Sequence, residues 1–196
     1  MQETDRKYSL HDVLDDLQGL FDRQMKKARA IADIRWQHDS DRVWLEQFAK
    51  GQGLDICCGH FPIANAMGVD TGFTVGVLTG FMAESRNLKI SDNRCDFIIT
   101  NYVDQLPGIL EVFDEWHRVL VPGGILAFTC ADGHAEEFIK RPKGSLSNSH
   151  RVNVFTDITI RYFLERAKFE NVEVNKSNSE NSSLRVKCNK PNDTAV

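Results

Sequence analysis

Apolar residues recur at helical spacing over the first fifty positions and then shift to short apolar runs broken by turn residues. Ser9 can cap a helix with Leu10, Val13, Leu14, Leu17, Leu20 and Phe21 on one face. Met25, Ala28, Ile31 and Ala32 either continue it or form a second helix. Ser40 or Asp41 caps a shorter helix carrying Val43, Trp44, Leu45 and Phe48, closed by Gly51. Strands are then predicted at Leu54–Cys57, Ala66–Asp70, Val75–Leu78, Asp96–Thr100 and Ile125–Cys130, the fourth of these being the clearest. A helix over Ile109–Leu120 places Leu110, Phe113, Trp116 and Leu120 on one side, and Pro122-Gly123-Gly124 breaks the chain behind it. Asp157 caps a helix through Phe169, and Val172–Val174 and Leu184–Val186 read as strands joined by the polar turn Lys176–Ser183.

Strands alternating with helices predict a parallel sheet with right-handed crossovers. The last two strands are joined too tightly for a crossover and should pair antiparallel. Too few residues separate Gly59 from Asp70, with Pro62 among them, for a full crossover helix, and Thr71–Met82 is also short. The expected fold is therefore an α/β, Rossmann-like, doubly wound and mostly parallel sheet with an antiparallel C-terminal hairpin and shortened first and second crossovers. Residues 1–50 form a helical extension or lid, 51–190 the sheet domain and 191–196 a tail.

A length of 196 residues, 41% hydrophobic and 27% charged, suits one ordinary globular domain. The net charge of −4 supplies no general attraction to phosphate backbones, which argues against a polynucleotide partner. The polar N-terminus has no secretory apolar run, and no stretch is long enough to span a bilayer. Five cysteines at irregular spacing do not make a disulfide framework and read as reduced thiols of a cytoplasmic protein.

In an open parallel sheet, ligands bind beyond the carboxyl ends of the strands. After the first strand comes Asp55-Ile56-Cys57-Cys58-Gly59-His60-Phe61-Pro62, where Gly59 permits close approach of backbone to ligand. After the second comes Asp70-Thr71, and a carboxylate there can accept both ribose hydroxyls of a nucleoside. Either feature by itself is also what a plain surface loop contains.

The order of these pieces resembles class I S-adenosylmethionine (SAM)-dependent methyltransferases over Gly53–Val186. Gly53–Gly59 is similar to the family's first motif, typically Leu-Asp-Ile-Gly-Cys-Gly, and Gly68-Val69-Asp70 to its ribose-binding acid. Ala83-Glu84-Ser85, ahead of Asp92-Asn93-Arg94-Cys95-Asp96, resembles the adenine-contacting segment. The run Glu115–Gly124 matches the family's helix-to-fifth-strand corner, and His150–Thr156 with Leu164–Phe169 its late segment and last helix. The resemblance implies SAM as cofactor, held by Asp55, Cys57, Gly59, Asp70, Thr71, Glu84, Ser85, Asn101 and Tyr102. Two departures stand out: Cys57 replaces the first glycine, and His60-Phe61 the third.

Cys57, Cys58 and His60 also invite a metal reading, but adjacent cysteines bind one zinc awkwardly and no metal is expected. Methyl transfer requires alignment of nucleophile and methyl group, with a base only when the acceptor must lose a proton. Asn101 and Tyr102 can shape the methyl pocket, Tyr102 equally being simple packing. His134, after the fifth strand, and His150, before the last helix, are the candidate bases. Lys140–Asn148 is a basic insertion that either favours an anionic or hydroxyl-rich acceptor or is a solvated loop. The prolines of amino-directed DNA methyltransferases and the Pro-Cys of cytosine-C5 enzymes are absent, which favours a small-molecule, sugar or lipid-headgroup acceptor. Two rivals remain: a nicotinamide-dependent oxidoreductase or epimerase, which would want Gly-x-Gly-x-x-Gly, and a non-catalytic SAM- or nucleoside-binding module.

Overall fold

The computed structural model describes residues 40–58, 62–70, 81–82, 85–101, 103–135, 152–177 and 183–192. The described elements are α1 (Ser40–Glu46), β1 (Gly53–Ile56), β2 (Ala66–Asp70), β3 (Phe81–Met82), β4 (Cys95–Thr100), a 3-10 turn (Val103–Gln105), α2 (Ile109–Val119), β5 (Leu120–Ala131), α3 (Asp157–Arg166), β6 (Glu170–Lys176) and β7 (Ser183–Asn189). Seven strands form one sheet in the order β3-β2-β1-β4-β5-β7-β6. β1 through β5 run parallel, while β7 lies antiparallel to both β5 and β6. This is the mostly parallel, doubly wound sheet with an antiparallel terminal hairpin that the pattern predicts. No helix is found among the described residues of the β1–β2 connection.

Strand side chains alternate between the two faces, and the central strands are apolar on both, as a sheet covered on two sides requires. On one face Leu54, Ile56, Ile98, Leu126 and Phe128 pack with Phe113 and Trp116 of α2 and Ile160 and Leu164 of α3. On the other, Phe97, Ile99 and Ala127 meet Leu45 of α1 and Ile63 of the β1–β2 connection. Gly53 is needed between these layers, since a Cβ there would stand 2.3 Å from the Phe97 carbonyl oxygen.

Several boundaries differ from the sequence expectation. α1 stops at Glu46, so Phe48 lies in the following turn, its amide donating to the Leu45 carbonyl at 3.0 Å. β5 runs through Pro122-Gly123-Gly124 instead of starting after it. The register against β4 jumps there, so the missing proline N–H falls in a bulge. Gly123 takes φ 77 and donates to the Lys190 carbonyl at 3.0 Å, while the Lys190 amide returns a bond to Gly124 at 2.9 Å. α3 is capped by Thr156 rather than Asp157: Thr156 and Thr159 exchange side-chain bonds with each other's amides. That helix ends at Arg166 because Lys168 turns left-handed, φ 65, before Phe169. The third strand expected at Val75–Leu78 and the helices expected before Ser40 fall outside the described residues, and β3 stands at Phe81–Met82.

One buried carboxylate ties α1 to the hairpin. Asp41 accepts from Arg185 Nε at 2.8 Å, from Ser177 Oγ and from Ser183 Oγ. Arg185 also lies over the Trp44 ring, 5.7 Å from its centre. Burial would raise the Asp41 carboxyl, but the bonds from the two serines and Arg185 outweigh it and hold the group below its usual range. None of the five cysteines is in a disulfide. Among the described residues no helix is long and apolar enough to cross a membrane.

Candidate active site

The strand order reverses between β1 and β4, the switch point at which open parallel sheets bind ligands beyond the strands' carboxyl ends. Asp55 stands beneath it, on the face of the sheet that carries Leu45 and Ile63. Only 4% exposed, it accepts the Ile63 amide at 2.7 Å, which closes the β1–β2 connection back onto the strand. Burial pushes its carboxyl up to about 6, against the opposing pull of that amide and of the Arg42 charge.

Cys57 follows β1 in the left-handed region, φ 56, and its amide continues the ladder to the Val69 carbonyl at 2.8 Å. A side chain at such a position costs roughly 1–2 kcal/mol relative to glycine. The Ser85 side chain lies near enough to the Cys57 thiol to favour its charged form, so the Ser85 segment and the turn after β1 come together. Ser85 itself is buried. Cys58 is buried, and desolvation together with the Asp55 and Asp70 charges raises it to about 12. Such a group stays a thiol at neutral pH. It also fills the space that Gly68 leaves: a Cβ on Gly68 would stand 2.7 Å from the Cys58 sulfur and 3.0 Å from Pro62 Cβ.

Asp70 ends β2 at the carboxyl edge, opposite Met82 of β3, and its charge reaches Asp55, Cys57 and Cys58. The fold therefore gathers five of the expected cofactor residues, Asp55, Cys57, Asp70, Ser85 and Asn101, around one edge. The expected residues Gly59, Thr71, Glu84, Tyr102 and His150, and the basic insertion at Lys140–Asn148, lie outside the described residues.

Asn101 leaves β4 at the same edge, and its side-chain oxygen accepts from the hydroxyl of buried Thr129 on β5. That bond fixes which end of the amide faces the sheet. Beyond β5, Asp132 is buried, taking the His134 amide on Oδ1 at 2.9 Å and Lys176 Nζ on Oδ2 at 3.1 Å. Gly133 donates to the Phe155 carbonyl at 2.7 Å, with no room for a Cβ beside Val154 and that carbonyl. His134 is thus carried, exposed, on a turn with fixed backbone. It sits two strands from Asp55, about 10 Å across the sheet at the usual strand spacing. Three contributors escaped the sequence reading: Thr129, which orients Asn101; Asp132, which builds the His134 turn; and Arg42, a largely buried α1 cation whose charge acts on Asp55. Only the acid two positions before His134 offered a local signal.

No protein-family model and no curated protein sequence matches the chain. Solved structures do. A phosphoethanolamine N-methyltransferase of Haemonchus contortus, in complex with SAM, matches 79% of this chain and 53% of its own, at 16% identity and a TM-score of 0.62. The chain thus spans about half the length of that enzyme. A SAM-dependent methyltransferase of Thermotoga maritima matches over 85% of this chain and 98% of its own, at 16% identity and a TM-score of 0.64. One from Archaeoglobus fulgidus matches over 87% and 98%, at 13% identity and a TM-score of 0.61. Together with the strand order and the antiparallel terminal hairpin, these likenesses give the chain the fold of the class I SAM-dependent methyltransferases.

Proposed function

We propose that the chain binds SAM across the carboxyl ends of β1 and β2 and transfers its methyl group to a small-molecule, sugar or lipid-headgroup acceptor. The observation that carries this reading is the convergence of Asp55, Cys57, Asp70 and Ser85 at the switch point of the sheet. The residues fit the group. An edge carboxylate suits a ribose diol, and a buried carboxylate with one amide donor suits an ammonium. SAM, when bound, supplies a methyl group already activated by its sulfonium. Asp70 and Thr71 would hold the ribose, Glu84 and Ser85 the adenine, and Cys57 and Gly59 the amino-acid tail. Asn101 and Tyr102 shape the wall toward the acceptor. His134 or His150 takes the proton when the acceptor is a hydroxyl. The acidic balance argues against a nucleic-acid acceptor. The Haemonchus contortus enzyme, which carries phosphomonomethylethanolamine and S-adenosylhomocysteine in another complex, supports a small acceptor. Cysteines outside disulfides agree with a cytoplasmic setting.

A second reading, a binding module without turnover, draws support from the Cys57 side chain at a position that favours glycine. Calorimetry with SAM, S-adenosylhomocysteine and NADH, followed by release of demethylated cofactor against a panel of small hydroxylated, phosphorylated and amine acceptors, separates the readings. Binding of the adenosyl ligands with turnover supports methyl transfer. Tight binding without turnover on any acceptor favours the module, and selective binding of NADH contradicts both.

A further inference from the structure

Six large apolar side chains stand exposed among the described residues, and the four most exposed fall within residues 152–162: Val152 at 60%, Val154 at 61%, Ile158 at 72% and Tyr162 at 61%. They share one outer surface. Along the extended run before α3, Asn153 turns inward to donate to the Leu106 carbonyl at 2.6 Å and Phe155 is buried, so alternation sends Val152 and Val154 outward. On α3, Ile160 and Leu164 fill the core, while Ile158 and Tyr162, four positions apart, share the opposite side. A helix apolar on two sides is normally covered on both. The surface also adjoins the proposed acceptor side. A Cβ on Gly133, the residue before His134, would stand 2.7 Å from Val154 Cγ1, and the Val152 amide donates to the Asp104 carbonyl beyond β4 at 3.0 Å.

Shape, area and charge together select the occupant. Side chains three-fifths or more exposed protrude instead of lining a groove. Four of them offer a few hundred Å² of apolar surface, well short of the roughly 800 Å² that each partner of a stable protein pair contributes. Protruding apolar groups of this extent suit the acyl boundary of a bilayer, and a tyrosine ring suits the headgroup level. The charges on α3 balance, Arg161 and Arg166 against Asp157 and Glu165. In a chain of net charge −4, however, residues 140–156 carry Lys140, Arg141, Lys143 and Arg151 and no acid, a sequence drawn to anionic headgroups.

We propose that the apolar stripe over residues 152–162 docks the chain on the surface of a bilayer containing anionic lipid, with the His134 turn facing the headgroups, so that the acceptor is a lipid headgroup met in place. The choice of acceptor rests on the methyl-transfer reading above; the docking does not. Two weak attractions, one apolar and one electrostatic, make the association reversible and sensitive to salt.

Vesicle flotation of the full chain tests the docking, using phosphatidylcholine alone and phosphatidylcholine mixed with an equal part of phosphatidylglycerol. The wild-type chain should float with the mixed vesicles and far less with phosphatidylcholine alone. Ile158→Asp lies in the first turn of α3, where an acidic residue suits the helix. It should weaken flotation about tenfold or more, the worth of withholding one isoleucine from an apolar phase, while Ile158→Leu retains it. S-adenosylhomocysteine affinity by calorimetry and the melting temperature should be the same in all three proteins. Absence of wild-type flotation, or equal flotation of Ile158→Asp, overturns the docking and leaves the methyl-transfer reading standing. A lower melting temperature of Ile158→Asp without vesicles means that the chain itself covers the stripe, and a wild-type dimer that Ile158→Asp splits means that a second copy does; either result overturns the docking. A wild-type chain that floats but binds no S-adenosylhomocysteine overturns the headgroup acceptor together with the site reading.

Discussion

Replacing Asp55 by asparagine isolates the cost of burying one charge. The asparagine carbonyl can still accept the Ile63 amide, and the side-chain volume hardly changes, so the removed term is mainly ionisation. On folding, the Asp55 carboxyl rises from 3.8 to about 6, chiefly through burial. The folded state therefore binds the proton more tightly than the unfolded chain does, and the sign follows from linkage. The stabilisation is complete below pH 3.8 and is lost as pH rises to about 6. At about 1.4 kcal/mol per pH unit, the difference amounts to about 3 kcal/mol. His117, held below its usual value by burial, favours the opposite trend, but it does so in both proteins and cancels in the comparison. Urea unfolding of the two proteins between about pH 4 and pH 7 reads the difference directly. The wild-type midpoint should fall relative to Asp55→Asn as pH rises, with most of the change below about 6. Parallel profiles would refute the assignment of a desolvated, unpaired carboxylate at this position.

Other substitutions test the local geometry. Cys57→Gly should leave stability unchanged or raise it by up to about 1 kcal/mol, whereas Cys57→Val should cost about 2 kcal/mol, because a β-branched residue tolerates a left-handed φ poorly; thermal melts of both decide it. Gly68→Ala should destabilise by about 1–3 kcal/mol through overpacking against Cys58 and Pro62. Adding Cys58→Ala should restore part of that loss in a double-mutant cycle, and strict additivity would contradict the contact. Asp41→Ala should cost about 3 kcal/mol, because half-buried Arg185 loses its carboxylate partner and the Ser177 and Ser183 hydroxyls lose their acceptor. Because its folded carboxyl titrates below the ordinary 3.8, the Asp41 contribution is present above that value and disappears as pH falls through the lowered one; acid unfolding should therefore come earlier in the wild type than its neutral stability suggests.

Sequence pattern read the sheet well where a strand is apolar on both faces. β4, with Phe97, Ile98 and Ile99 all inaccessible to solvent, carries an uninterrupted apolar run because two layers cover it. The terminal hairpin was legible from its short polar connection. β5 was not fully legible, because Pro122-Gly123-Gly124 has the composition of a break. Only the tertiary pairing of Gly123 and Gly124 with Lys190 shows that the bulge carries the strand through. Asp55 and Asp70 could be singled out because strand-end position is itself a sequence property. Arg42, Thr129 and the Asp132–Lys176 pair could not, since each acquires its role from an element distant in the chain. The choice of Thr156 over Asp157 as helix cap turned on Thr159, three positions on, whose hydroxyl completes the reciprocal box.

The account stands most directly on the Asp70 carboxylate at the end of β2. The decisive measurement is S-adenosylhomocysteine affinity, by calorimetry, of the wild-type chain and Asp70→Ala. Losing a carboxylate that accepts two hydroxyls should weaken binding by roughly a hundredfold, at about 1.5 kcal/mol for each charge-assisted bond. Equal affinity in the two proteins would contradict the placement of the adenosyl sugar at the β2 edge.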